Sequence, residues 1–231
     1  MPILTALEIE ALILSLKVAV LASALCLVPA IGVAWLLSRT SIPGRWLINV
    51  VAHAPLVLPP VVIGYLLLLT FGVQGPVGRW LNQMFGVRLV FSSAGAVLAA
   101  AVMAFPLMVR AVRLSLDAVD QGLELAARTL GATRLDAFMT VTLPMMLPGI
   151  LAGLIMAFAA SLGEFGATIT FASNVEGQTR TLPLAIYTAT QVPDGDAAAL
   201  RLVMIAIMLS LVALALSEAV ERWARRTIYG S

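Results

Sequence analysis

The 231-residue chain is 61% hydrophobic and 11% charged, with a formal net charge of +2 and a mean hydropathy of +1.03. A soluble domain of this length must cover its surface with polar groups, so this composition excludes one and makes lipid the solvent for most of the chain. The small net charge leaves no footprint for a nucleic-acid partner, and the single cysteine, Cys26, excludes an intramolecular disulfide and a cysteine-based metal cluster.

The opening "MPILTALEIEALILSLK" carries two glutamates and no early basic residue, unlike a secretory signal, so the first helix is expected to stay attached. Asp, Glu, Lys and Arg are missing from 18–38, 46–78, 89–109, 137–163 and 202–217. About 20 helical residues cross a hydrocarbon layer about 30 Å thick, so four of these runs span unaided. The fifth does so with residues 197–201, because Arg201 can stretch its head to the interface while its stem stays in lipid. An all-α integral membrane protein with five spans follows, at about 13–37, 50–72, 93–112, 146–165 and 198–218, in one domain over 1–231.

Nine of fourteen basic residues lie on one side of such a topology, including Arg39, Arg45, Arg110, Arg113, Arg128, Arg134, Arg222, Arg225 and Arg226. Cytoplasmic loops hold the excess of Lys and Arg, which puts the N-terminus outside and the C-terminus inside. In span two, "HAPLVLPPVVIG" has prolines at 55, 59 and 60 that remove backbone donors and kink or interrupt a helix. Lipid tolerates that only beside protein or a watery cavity, so this segment either packs on other helices or lines a pore. His53 is expected to make an interfacial hydrogen bond, and Cys26 to be a small lipid-facing or packing residue. Trp80 and Phe85, in the outer loop at about 73–90, stand where an interfacial aromatic belt belongs. Between spans four and five, charge-free pieces at 165–175 and 181–193 are too short to span and too apolar for a free loop, which predicts a partly inserted or outer-face helix pair.

Eight of the 26 charged residues fall between Arg110 and Asp136, in a cytoplasmic loop at about 113–143. Helix formers in "QGLELAARTLG" run to Gly131, which can end a helix in the left-handed conformation, and Thr133 with Asp136 forms a capping box for a second helix. Leu130 and Phe138 are apolar groups that must pack on the helix ends or enter a partner's groove.

This loop resembles that of permease subunits of binding-protein-dependent ABC importers, whose pattern is Glu-Ala-Ala, three residues, Gly, nine residues, then an aliphatic, any residue and Leu-Pro. Here Ala126 and Ala127 are followed by three residues and Gly131, and nine more lead to Val141, Thr142, Leu143 and Pro144. Leu125 occupies the glutamate position, and Glu124 stands one place early. The resemblance implies a type I importer permease architecture in which Glu124, Leu125, Ala126, Ala127, Gly131, Leu143 and Pro144 couple to a cytoplasmic ATPase. It also implies a homodimer in the bacterial inner membrane, joined to two ATPases and visited by an extracytoplasmic oxyanion-binding protein. The chain would not be an enzyme by itself: it has no GxxxxGK[ST] loop, so ATP and Mg would be bound by the partner, and no cofactor by this chain.

The segments "APLVLPPVVIGYLLLL", "AAAVMAFPLMVRAVRLSLDAVD", "LELAARTLGA" and "SLGEFGATITFASN" are similar to molybdate importer permeases, with tungstate and sulfate/thiosulfate permeases as close relatives. A cation buried in a span would hold a dianion too tightly to release it, so weak sites near broken helices are expected instead, around Pro59 and Pro60, Gly166, Thr168 and Thr170. Glu164 would repel a dianion. It is read either as a solvated interfacial residue or as an anchor of the outer gate, hydrogen-bonded to backbone or to Ser161 and Thr168. A membrane enzyme would show convergent acid, base or metal ligands, which one histidine, one cysteine and scattered carboxylates do not supply. A non-transport anchor is the remaining alternative, and it would need neither prolines in a span nor an ordered cytoplasmic helix pair.

Overall fold

Small side chains decide how the helices meet. The computed structural model describes residues 4–228, with side chains through residue 219 and at Arg222, and is helical with no strand among the described residues. Helix α1 (Ala6–Arg39) packs along α5 (Ser93–Ala118), and both pack on α8 (Leu143–Leu162). Their shared core is lined by Ala22, Ala30 and Ala34 from α1, Ala96, Ala100 and Ala104 from α5, and Ala157 from α8. Alanine and glycine let backbones approach in a medium where lipid offers no hydrophobic drive for helix association. Gly149 and Gly153, one turn apart on α8, make the closest approach: a Cβ at Gly149 would lie 2.2 Å from Ser115 Cβ, and one at Gly153 2.9 Å from Met108 Sδ. Cys26 is a packing residue, its buried Sγ lying 3.1 Å from Ala101 O.

Among the described residues four helices are long and apolar enough to cross a membrane: Ala6–Arg39, Ser93–Ala118, Arg134–Leu162 and Asp196–Ala219. A bent pair, α2 (Arg45–His53, continued by a 3-10 turn at Ala54–Leu56) and α3 (Pro60–Phe71), with 114° between its halves, makes either a fifth, broken span or a re-entrant loop. The expected span at 50–72 is therefore two half-helices, because Pro59 and Pro60 cannot donate to the preceding turn. His53 Nδ1 lies 2.9 Å from Asn49 O of its own helix, so its hydrogen bond is intrahelical.

The helix after the charged loop also differs from the expected 146–165. It starts earlier, as α7 (Arg134–Ala137) running through a π turn (Phe138–Thr142) into α8, and it stops at Leu162, where Gly163 caps it. Glu164 thus lies off the helix. Short helices α9 (Gly166–Phe171) and α10 (Leu182–Thr190) form the expected pair between the last two long helices, and α11 (Asp196–Ile228) ends the described chain. Arg201 does not simply stretch toward the interface: its Nη2 donates to Glu8 Oε1 at 2.8 Å, joining the second turn of α11 to the first of α1. Between α3 and α5, α4 (Pro76–Phe85) carries exposed Trp80 and Phe85 in an edge-to-face contact with centroids 5.6 Å apart.

Gly149→Ala is expected to destabilise the chain by about 1–3 kcal/mol through overpacking. At Gly32, where an added Cβ meets nothing within 4 Å, alanine should be neutral or stabilise by up to about 1 kcal/mol. Heating each variant in detergent with a thiol-reactive dye, which reads exposure of buried Cys26, checks both; equal midpoints would contradict the packing.

Candidate coupling surface and gate

The charged loop folds as two capped helices. Asp120 Oδ1 accepts from Gly122 N at 2.8 Å and starts α6 (Gln121–Thr129). Leu130 ends it, and Gly131 follows at φ +99°, the left-handed conformation that frees the chain to turn. Thr133 and Asp136 form the anticipated capping box, with Asp136 N to Thr133 Oγ1 and Thr133 N to Asp136 Oδ2 both at 3.2 Å.

The two apolar groups of this loop part company. Phe138 packs against the α1/α5/α8 core, whereas Leu130 is 89% exposed. None of the residues of α6 is buried: Leu125 and Ala126 are exposed and Ala127 is half-buried. With Leu123, Leu135 and Met139 also exposed, the loop presents an apolar surface that none of the described residues covers. Leu143 and Pro144 lie in the first turn of α8, Leu143 half-buried against the core and Pro144 exposed. They stand outside the helix that carries the rest of the motif. Glu124, one place early in the motif, accepts from the Thr142 hydroxyl at 3.4 Å and so ties α6 to the π turn.

The second group of residues meets where two half-helices touch. A Cβ on Gly64 of α3 would lie 2.7 Å from Thr170 Cβ and 2.8 Å from Ala167 O, and one on Gly166 would lie 2.7 Å from Pro60 Cβ. Pro60 and Gly166 are therefore brought together by the α3/α9 contact, over a small core of Ile63, Leu67, Ala99, Ala167 and Phe171, with Thr168 buried on α9. Phe91 N–H donates to Phe171 O at 3.4 Å and fastens this pair to the start of α5. Glu164 is 9% exposed, which removes the solvated reading, and its Oε1 accepts from Ala167 N at 2.7 Å. Its partner is backbone and not Ser161, whose buried Oγ has no hydrogen-bond partner; the first amides of α9 are orphan donors only two to three residues away. Segments 53–71 and 161–175 contain no other charged residue.

Two residues outside the predicted set carry little sequence signal. Gly64 is a lone glycine in an apolar run and shows its purpose only once α9 lies across it. Arg39, away from the coupling surface and the gate, looks like one more positive-inside arginine, yet its guanidinium reaches the Leu116 and Val119 carbonyls where α5 ends.

Residues 27–226 match the family described as binding-protein-dependent transport system inner membrane component. The chain belongs to this family. It is 56% identical over 223 residues to the molybdenum transport system permease protein ModB of Escherichia coli (strain K12), covering 96% of this chain and 97% of that protein. To the sulfate transport system permease protein CysT of Salmonella typhimurium it is 37% identical over 196 residues, covering 84% of this chain and 70% of that protein. The fold is similar to that in a bacterial ABC transporter involved in import of the acidic polysaccharide alginate, with TM-score 0.72, 16% identity, and coverage of 97% of this chain and 81% of that one. The architecture is that of a type I ABC importer permease, with four or five apolar spans.

Removing the Glu164 acceptor should cost more than neutralising it. Glu164→Ala strands the buried Ala167 N–H, at about 1–3 kcal/mol, whereas Glu164→Gln keeps an acceptor oxygen. Thermal midpoints in detergent should fall in the order wild type, Gln, Ala; an alanine variant as stable as the glutamine one would contradict the backbone cap.

Proposed function

We propose that this chain is the membrane-spanning permease of a molybdate importer, with its N-terminus outside and its C-terminus in the cytoplasm. The observation that carries this reading is 56% identity to a molybdenum transport permease along nearly the whole of both chains. The sulfate permease is more distant, at 37%.

In this reading two copies enclose a path for the oxyanion, and two ATPase subunits that bind ATP and Mg sit on the cytoplasmic face. An oxyanion-binding protein delivers substrate to the outer face. α6 seats Leu125, Ala126 and Leu130 in a cleft of the ATPase, where the low surface left by Ala126 and Ala127 permits close approach. Gly131 lets the chain turn back at once, and Leu143 and Pro144 anchor that return on α8. Closure of the ATPases on ATP pushes α6, and the push rotates the helices between inward and outward opening by rigid-body movement.

The half-helices α3 and α9 form the gate. Pro59 and Pro60 leave the start of α3 with few amide donors, and Thr168 and Ser161 add hydroxyls near it, enough to guide a dianion without holding it. Glu164, fixed to the α9 backbone, holds the gate's shape and is turned from the path by that bond. Its charge would otherwise oppose passage.

The complex of this chain with its ATPase and binding protein, reconstituted in proteoliposomes, tests the reading. ATP hydrolysis and uptake are expected to rise with molybdate-loaded binding protein. Stimulation by sulfate and none by molybdate would overturn the substrate, and failure to co-purify with any ATPase would overturn the importer itself. Glu164→Gln should assemble normally and transport at an altered rate; wild-type uptake and coupled hydrolysis would remove Glu164 from the gate.

A further inference from the structure

The direction in which α6 leaves the bundle depends on a two-residue joint, Val119 and Asp120, between the end of α5 and the start of α6. Burial cannot hold that direction, because α6 buries none of its residues. Among the described residues its one side-chain tie to the bundle is the 3.4 Å bond between Glu124 and Thr142. Arg39, the last residue of α1, supplies a second constraint. Its Nη2 donates to Leu116 O and to Val119 O, each at 3.2 Å.

These two acceptors are not equivalent. Leu116 O, in the last turn of α5, already accepts from Val119 N–H at 3.2 Å, and a cation there also meets the negative end of the helix dipole. Val119 O belongs to the joint itself. One guanidinium nitrogen therefore bridges α5 and the joint, and it does so from a different helix. Among the described residues no carboxylate lies within ion-pair distance of Arg39, and its buried Nε has no partner, so the side chain is committed to these carbonyls. The Leu116 and Val119 side chains are buried beneath it, which leaves the joint little room to slide.

We infer that Arg39 is a positioning residue for coupling: it clamps the α5–α6 joint to the end of α1, so that a push on α6 moves α1 and α5 together instead of swivelling α6 at Val119 and Asp120. The use of the clamp rests on the importer reading above, whereas the clamp itself does not. A lysine keeps the charge and one nitrogen with donors for both carbonyls, but its ammonium is more strongly hydrated and costs more to desolvate here, so it should restore the clamp only in part.

Amide hydrogen exchange of the full chain in lipid nanodiscs reads the clamp, and the reconstituted complex reads its use. In Arg39→Gln, exchange at residues 119–123 should quicken about tenfold while residues 100–108 of α5 stay protected, with Arg39→Lys between the two. In the complex the same variant should hydrolyse several times more ATP per oxyanion carried, with basal hydrolysis and co-purification unchanged. Unchanged exchange at 119–123 overturns the clamp. Loosening at 100–108 as well makes Arg39 an ordinary packing residue and also overturns it. Quickened exchange with an unchanged ATP-to-oxyanion ratio overturns the coupling role, and quickened exchange in a chain that binds no ATPase sinks the importer reading while the clamp stands.

Discussion

Backbone amides and carbonyls released inside a hydrocarbon layer have no water to turn to, and this constraint governs where the second crossing of this chain can break. Between Leu56 and Pro60 the helical ladder is interrupted and the two halves turn by 114°. Prolines at 55, 59 and 60 soften the penalty by removing three donors, while residues 56–60 stay exposed on this chain, so cover for the break must come from outside it or from water in a path. Just beyond the break α3 is held by α9, and the two touch closely because Gly64 and Gly166 have no side chains at the crossing.

One helix joins that region to the cytoplasmic surface. α5 contributes Ala99 to the core beneath α3 and α9, and seventeen residues on, about 26 Å along its axis, its Leu116 carbonyl is held by Arg39. Between those points it is gripped by α1 and α8 through close alanine and glycine contacts. A displacement of α6 would reach the α3/α9 pair through packed side chains and a rigid element, which is the physical form long-range coupling needs. In the proposed importer, the same close packing that replaces a hydrophobic drive in lipid also carries the mechanical stroke.

Local chemistry made the cytoplasmic loop legible. Gly131 and the Thr133/Asp136 pair act through neighbours within four residues, so the helix end and the cap could be read from spacing alone. The fate of Leu130 and Phe138 could not, because it depends on which way each faces the bundle, a property of tertiary packing. Charge-free run lengths located the apolar helices but not their ends: Gly163 stops α8 before Glu164, and the π turn lets that same span begin in the loop. The Glu8–Arg201 pair joins residues 193 apart, and the Arg39 clamp joins residues 77 and 80 apart. No local pattern encodes such partners. Gly149 and Gly153 show the same limit, since their close partners on α5, Ser115 and Met108, are supplied only by the fold.

Photo-crosslinking from the tip of α6 tests the central claim most directly. In a Cys26→Ser chain, a benzophenone attached at Leu130→Cys should label the ATPase subunit of the purified complex, while the same probe at Val28→Cys, an exposed position in the middle of α1, should label only lipid. Equal labelling of the ATPase from both positions, or none from Leu130 in a complex that still hydrolyses ATP in step with uptake, would contradict the account.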